Sequence, residues 1–246
     1  VDVFFVISGF LITGLLLRER ERAGRIALGA FYARRIRRLL PAATIVIIVT
    51  LIGSLFAVAP LDLPRVAIDG ASAALWVSNL RFASQGGYFA VPGDPSPFLH
   101  FWSLSVEEQF YLVLPALVLA AWLLGRRRSP GLGRRSIGLV VAGASLVSLW
   151  LSWAMTSGHS PIPLQAPVRF AFYASPTRFW EFGVGVLLAL GAVHFQRVPP
   201  ALATLLGVIG AAAVFGASVL LDSTSVFPGV NAIPPVAGTG LLVVAG

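Results

Sequence analysis

LLPAATIVIIVTLIGSLFAVA, Leu39–Ala59, carries no charged residue over its whole length. A helix needs roughly 20 mostly apolar residues to cross the hydrocarbon of a bilayer, and this stretch supplies them. Similar runs occupy Val1–Leu17, Leu104–Leu124, Ile137–Met155, Phe179–Phe195 and Ala201–Leu221, and another begins near Val236. The expected fold is all-α: a polytopic transmembrane helical bundle of about six complete spans plus a truncated one. Val1 and Gly246 both fall inside apolar stretches, and the chain lacks an initiating Met, so it reads as a fragment, a single but partial membrane domain over Val1–Gly246.

Composition agrees. Of 246 residues 57% are hydrophobic and only 11% are charged, with a mean hydropathy of +0.86, whereas soluble domains carry about 25% charged residues. The absence of Cys excludes disulfides and thiolate metal sites. The net charge of +8 comes entirely from arginine. Most of it lies in two blocks between apolar runs, Arg18–Arg38 and Arg126–Arg135, which is the pattern of cytoplasmic loops and not of a nucleic-acid surface.

These blocks orient the chain. If both face the cytoplasm, an even number of crossings separates them. Val66–Ala83 is the ambiguous segment, because Asp69, Asn79 and Arg81 are costly in hydrocarbon. It is therefore expected not to cross. Pro60–Ser103 is assigned to the outer face, with a re-entrant or interfacial helix over 66–83. Arg197 then falls inside and Asp222–Pro235 outside. Gly9, Gly14, Gly183, Gly207 and Gly210 are expected at close helix contacts.

Three segments carry candidate chemistry. In Phe31-Tyr-Ala-Arg-Arg-Ile-Arg-Arg-Leu-Leu-Pro41, helical spacing sets Arg34 and Arg38 four apart and Arg35 and Arg38 three apart, so their guanidinium forks converge on a phosphate or act only as a positive-inside anchor. In His100-Phe-Trp-Ser-Leu-Ser-Val-Glu-Glu-Gln-Phe-Tyr111, at the outer end of a span, His100, Ser103 and Glu107 share one helical face and bring imidazole, hydroxyl and carboxylate together. Ser105 and Glu108 have capping-box spacing, and Trp102 and Tyr111 fit an interfacial aromatic belt. In Ser175-Pro-Thr-Arg-Phe-Trp-Glu-Phe-Gly183, Arg178 and Glu181 are three apart, as a structural ion pair or as substrate contacts, after an ordinary Ser-Pro helix start. Glycine-rich phosphate loops, nucleophile elbows and zincin motifs are absent from the sequence. Three scattered histidines, His100, His159 and His194, argue against a metal site, and the last two read as loop and interface residues.

These segments, together with Val1-Asp-Val-Phe-Phe-Val-Ile-Ser-Gly-Phe-Leu-Ile-Thr-Gly14, resemble the acyltransferase-3 family of integral membrane O-acyltransferases. The resemblance rests on four ordered motifs within Val1–Gly183. It implies a helical bundle in the bacterial cytoplasmic membrane, multi-pass, that takes an acyl group from acyl-CoA, acetyl-CoA foremost, at the inner face and delivers it to a hydroxyl of an envelope glycan or glycolipid. No bound cofactor and no nucleic acid is implied. By the same resemblance Arg34, Arg35 and Arg38 grip the acyl-CoA. Glu107, His100 and Ser103 orient the acceptor hydroxyl or support an essential histidine that in the family precedes the position of Val1, and without which the fragment is expected to be inactive. Trp102, Glu108, Tyr111, Arg178 and Glu181 shape the acceptor side. Two rival readings are a transporter of an anionic or sugar-like solute, which would show paired broken helices in two halves, and a non-catalytic scaffold, which would tolerate alanine at Arg35 and Glu107.

Overall fold

The arginines of 34–38 are strong helix formers, and the apolar run extends back through them past the internal Pro41. In the computed structural model, which describes residues 1–24, 26–84, 96–128, 132–222 and 224–246, that run is a single helix, α2, Leu28–Ala57. The other helices are α1 Asp2–Ala23, α3 Leu63–Ala74, α4 Ser78–Ser84, α5 Phe101–Arg128, α6 Leu132–Thr156, α7 Pro167–Tyr173, α8 Ser175–Gly191, α9 Pro200–Leu220 and α10 Ile233–Ala245. No strand occurs among the described residues. Five helices (α2, α5, α6, α8 running on into a 3₁₀ turn at Ala192–Arg197, and α9) are long and apolar enough to cross a bilayer, and the protein is a multi-pass, all-α membrane protein. Residues 85–95 of the stretch assigned to the outer face, and Arg25 of the first arginine block, lie outside the described residues.

The chain forms two compact units, one of Val1–Ile26, Phe110–Phe172 and Pro176–Gly246, the other of Ala27–Gln109 with Tyr173–Ser175. In the first, α1 and α8 cross at backbone distance. A β-carbon at Gly9 would strike the Phe182 carbonyl, and one at Gly185 would strike the Val6 carbonyl. Only glycine permits that approach, and in lipid, where apolar burial drives little association, such contact is what holds helices together. Phe182 stacks on Phe5 at 4.3 Å and on Phe110 at 4.0 Å, sealing the crossing. Gly183 against Ser145, and Gly210 against Gly238, are equally close. Gly14 and Gly207 are not crowded, their nearest neighbours being 3.7 Å and 3.5 Å from a built β-carbon; Gly14 faces the guanidinium of Arg18 and no helix backbone.

The second unit contains the ambiguous segment. In place of one helix over 66–83, α3 and α4 form a short helical hairpin, with α3 packed on α2 and Gly70 beside Leu51 and Phe98. α3 ends in a Schellman motif, Val77 N–H donating to Ser72 O (2.9 Å) and Trp76 N–H to Ala73 O (3.2 Å). The left-handed position of that motif usually belongs to glycine, yet here Trp76 holds it, at φ 56°.

Candidate functional site

Successive helical residues are 100° apart, so the arginines of α2 cannot all face one way. Arg35 turns inward and is half-buried, while Arg34 and Arg38 are exposed. Arg35 meets Glu108 of α5, seventy-three residues on: its Nε donates to both carboxylate oxygens at 3.0 Å, and its Nη2 donates to Oε1. This fork-on-carboxylate contact joins the arginine motif to the second candidate motif. It also corrects two expectations. Ser105 and Glu108 form no capping box, because α5 already begins at Phe101 and Glu108 is engaged by Arg35, leaving the buried Ser105 hydroxyl without a partner among the described residues. Glu108 is likewise not a residue of the outer end held apart from the arginines.

The remaining groups of this motif divide by burial. His100 immediately precedes α5 and is exposed, its ring 5.0 Å from that of Phe101. Ser103 Oγ donates to the His100 carbonyl at 3.3 Å, and Ser103 and Glu107 are both partly exposed. Trp102 is only 3% exposed and packs edge-on against Tyr173 at 5.4 Å. Tyr111, in the first unit, is 4% exposed and its hydroxyl donates to Ser8 Oγ at 2.6 Å. Neither is a belt residue. Both are buried because their rings fill packing gaps and their polar tips or edges find partners.

The residues that made Val66–Ala83 costly are paired within the second unit. Asp69 is fully buried and accepts from Arg81 Nε at 3.0 Å. Asn79 and Gln109 form a reciprocal amide pair. Gln109 Nε2 donates to Asn79 Oδ1 and to the Trp76 carbonyl, both at 2.9 Å, and Asn79 Nδ2 donates to Gln109 Oε1 (3.3 Å), the Tyr173 carbonyl (3.2 Å) and Ser175 Oγ (3.3 Å). Ser175 Oγ in turn donates to Gln109 Oε1. Gln109 thus fixes the strained Trp76 turn and the α5 register that carries Glu107 and Glu108. Ser175 serves this knot as well as starting α8. The signal for Asp69, Asn79 and Arg81 lay in their polarity within an apolar run; for Gln109 there was only its place beside Glu108.

In the first unit Arg178 and Glu181 pair as their spacing predicts, Nη1 to Oε1 at 2.6 Å, at 1% and 0% exposure. The sequence did not point to a third member, Asp2, whose Oδ1 accepts from the same Nη1 at 3.0 Å. The guanidinium lies over the rings of Phe227 (5.2 Å), Phe172 (5.5 Å) and Phe5 (6.0 Å). Arginine is the residue suited to such a place, because its weakly hydrated planar group pairs with carboxylates and rings together. His159 and His194 are exposed, the former stacked on Trp153. Among the described residues no group of three or more His, Asp or Glu is placed to hold a metal ion.

The family described as an acyltransferase domain matches residues 1–246, the whole chain. The peptidoglycan O-acetyltransferase OatA of Listeria monocytogenes is 35% identical over 204 residues, covering 81% of this chain and 30% of that protein. A Staphylococcus aureus relative is 33% identical over 193 residues, 77% of this chain and 29% of its own length. An uncharacterized protein of Haemophilus influenzae is 30% identical over 248 residues, 99% of this chain and 96% of that protein. The chain therefore spans under a third of the first two relatives and nearly all of the third. No solved structure matches.

Proposed function

The chain belongs to the acyltransferase-3 family, and on that premise we propose that it is an integral membrane O-acyltransferase moving an acyl group, acetyl foremost, from acyl-CoA to a hydroxyl of a cell-envelope glycan. The observation that carries the reading is the Arg35–Glu108 contact, which sets the arginine cluster beside the helix start that bears His100, Ser103 and Glu107. The name of the Listeria relative supports a glycan acceptor.

In the reaction the acceptor oxygen attacks the thioester carbonyl, the C–S bond breaks, and the alcohol proton ends on the departing thiol. The thioester is already activated. The protein's work is to hold the carrier's phosphates, align the two substrates and assist removal of one proton. Arg34 and Arg38, exposed on α2, bind the phosphates of the donor together with Arg35, whose guanidinium fork exchanges the Glu108 carboxylate for a phosphate oxygen. Ser103 and His100 hydrogen-bond the acceptor, and Glu107 is the carboxylate that draws on its hydroxyl proton, directly or through a histidine. Arg178 and Glu181, buried and joined by the partly buried Asp2, brace the helices of the first unit and do not touch substrate.

The test is mass spectrometry of envelope sugars from cells with and without the gene. O-acyl groups are expected to vanish on deletion, to return with the intact gene, and to stay absent with Arg38→Ala or Glu107→Ala at unchanged membrane levels. Unaltered sugars on deletion would refute the acceptor class, and full rescue by both variants would refute the site.

A further inference from the structure

α1 ends in water-seeking residues, Arg18-Glu-Arg-Glu-Arg22, directly after an apolar run. An arginine at such a boundary ordinarily extends away from hydrocarbon. Helical Cβ atoms tilt toward the N-terminus, however, and Arg18 follows that tilt: its Nη2 would lie 3.7 Å from a β-carbon at Gly14. The guanidinium therefore lies folded back over Gly14, which has no side chain to hold it off. Arg18 makes no ion pair among the described residues.

It forms the rim of a groove of about 250 Å³ in the first unit, walled by Phe10, Leu17, Ala189 and Val193. The rim also holds Glu21 and Arg134 of α6, so it carries one net positive charge. Arg134 is fixed there, its Nη2 donating to the Leu190 carbonyl at the end of α8 at 2.7 Å. On the open side Leu11 and Val193 are 52% and 58% exposed, so the apolar wall is open to hydrocarbon.

We infer that this groove binds an anionic phospholipid, one acyl chain along the α1–α8 wall and the phosphate between Arg18 and Arg134. The geometry needs an apolar tail and an anion a short helix turn apart, and the bilayer supplies that combination to a laterally open groove. The net positive rim favours an anionic headgroup over a zwitterionic one. The inference stands apart from the acyl-transfer reading, since neither arginine belongs to the donor or acceptor groups proposed above.

The experiment is native mass spectrometry of the full chain in detergent, titrated with palmitoyl-oleoyl phosphatidylglycerol or phosphatidylcholine. The wild type is expected to retain phosphatidylglycerol about fivefold more tightly per unopposed arginine. Arg18→Gln should abolish the preference. Gly14→Leu, which keeps both arginines but fills the groove floor, should weaken both lipids, while Arg135→Gln, an exposed arginine outside the groove, should change neither. Equal retention of the two lipids by the wild type would overturn the inference. So would unchanged retention in Gly14→Leu, which would leave only diffuse surface charge, or displacement of bound phosphatidylglycerol by acetyl-CoA, which would make the groove a donor site.

Discussion

Two of the arginine–carboxylate contacts among the described residues, Arg178 with Asp2 and Glu181 and Arg35 with Glu108, differ in burial. In the first unit Arg178 is 1% exposed, shares one nitrogen between Asp2 and Glu181, and is walled by three phenyl rings. In the second, Arg35 and Glu108 are 19% and 17% exposed. A sealed pair cannot exchange partners without unfolding its surroundings, whereas a pair in reach of water can. The same chemistry is therefore sealed at Arg178 and within reach of water at Arg35.

The contrast depends first on the α1–α8 crossing that closes the sealed site. Gly185→Ala places a methyl group against the Val6 carbonyl, which is backbone and cannot swing aside. The expected outcome is the largest of the series: loss of monodisperse protein on detergent size-exclusion chromatography. A folded Gly185→Ala protein would show that the two helices can separate at little cost, and the sealed site would lose its defining feature. Next comes Arg178→Met, which keeps an unbranched apolar stem but leaves the buried Glu181 and the partly buried Asp2 without their cation. Breaking one member of a buried pair costs about 3–5 kcal/mol, to be read as a large fall in the thermal midpoint in detergent. A fall no greater than that of an exposed arginine variant such as Arg37→Ala would erase the distinction.

Legibility followed the same division. Hydropathy located every long helix, because a twenty-residue apolar run has no other stable use, and the i,i+3 spacing of Arg178 and Glu181 was enough to pair them. Long-range partners were not legible: Asp2 lies 176 residues from Arg178, and no local periodicity relates Arg35 to Glu108. Hydropathy also began α2 at Leu39, eleven residues late, since arginine lowers an apolar average while favouring a helix. The break between α3 and α4 was hidden for another reason. Its left-handed residue is Trp76, with no Gly or Pro nearby to announce a turn, and the turn is held from outside by Gln109.

That external support gives the third test. Asn79→Leu removes the amide that satisfies Gln109 on one side and Ser175 on the other, leaving buried polar atoms unpaired at about 1–3 kcal/mol. The cost should appear as a lowered midpoint together with reduced acyl transfer, because Gln109 adjoins the two glutamates. Asn79→Asp preserves the acceptor toward Gln109 Nε2 but loses the donors, and is expected to fall between wild type and Asn79→Leu. Equal stability of all three would show that the knot is incidental to the Trp76 turn.

The smallest effect on stability is predicted for the open pair, and there the sign carries the information. With both partners partly exposed, a double-mutant cycle on Arg35 and Glu108 should give a coupling of at most about 1 kcal/mol. Its effect on donor affinity is separate. The Glu108 carboxylate occupies the Arg35 fork in the way a phosphate would, so it competes with any anion for that guanidinium. Glu108→Gln keeps the shape and a hydrogen-bond acceptor but removes the negative charge, and is expected to lower KM for acyl-CoA by roughly fivefold, equivalent to about 1 kcal/mol, with little change in the midpoint. Arg35→Gln should raise it. If Glu108→Gln instead raises KM as much as Arg35→Gln does, the pair acts as a brace like Arg178 and Glu181, and burial alone does not separate the bracing pair from the exchanging one.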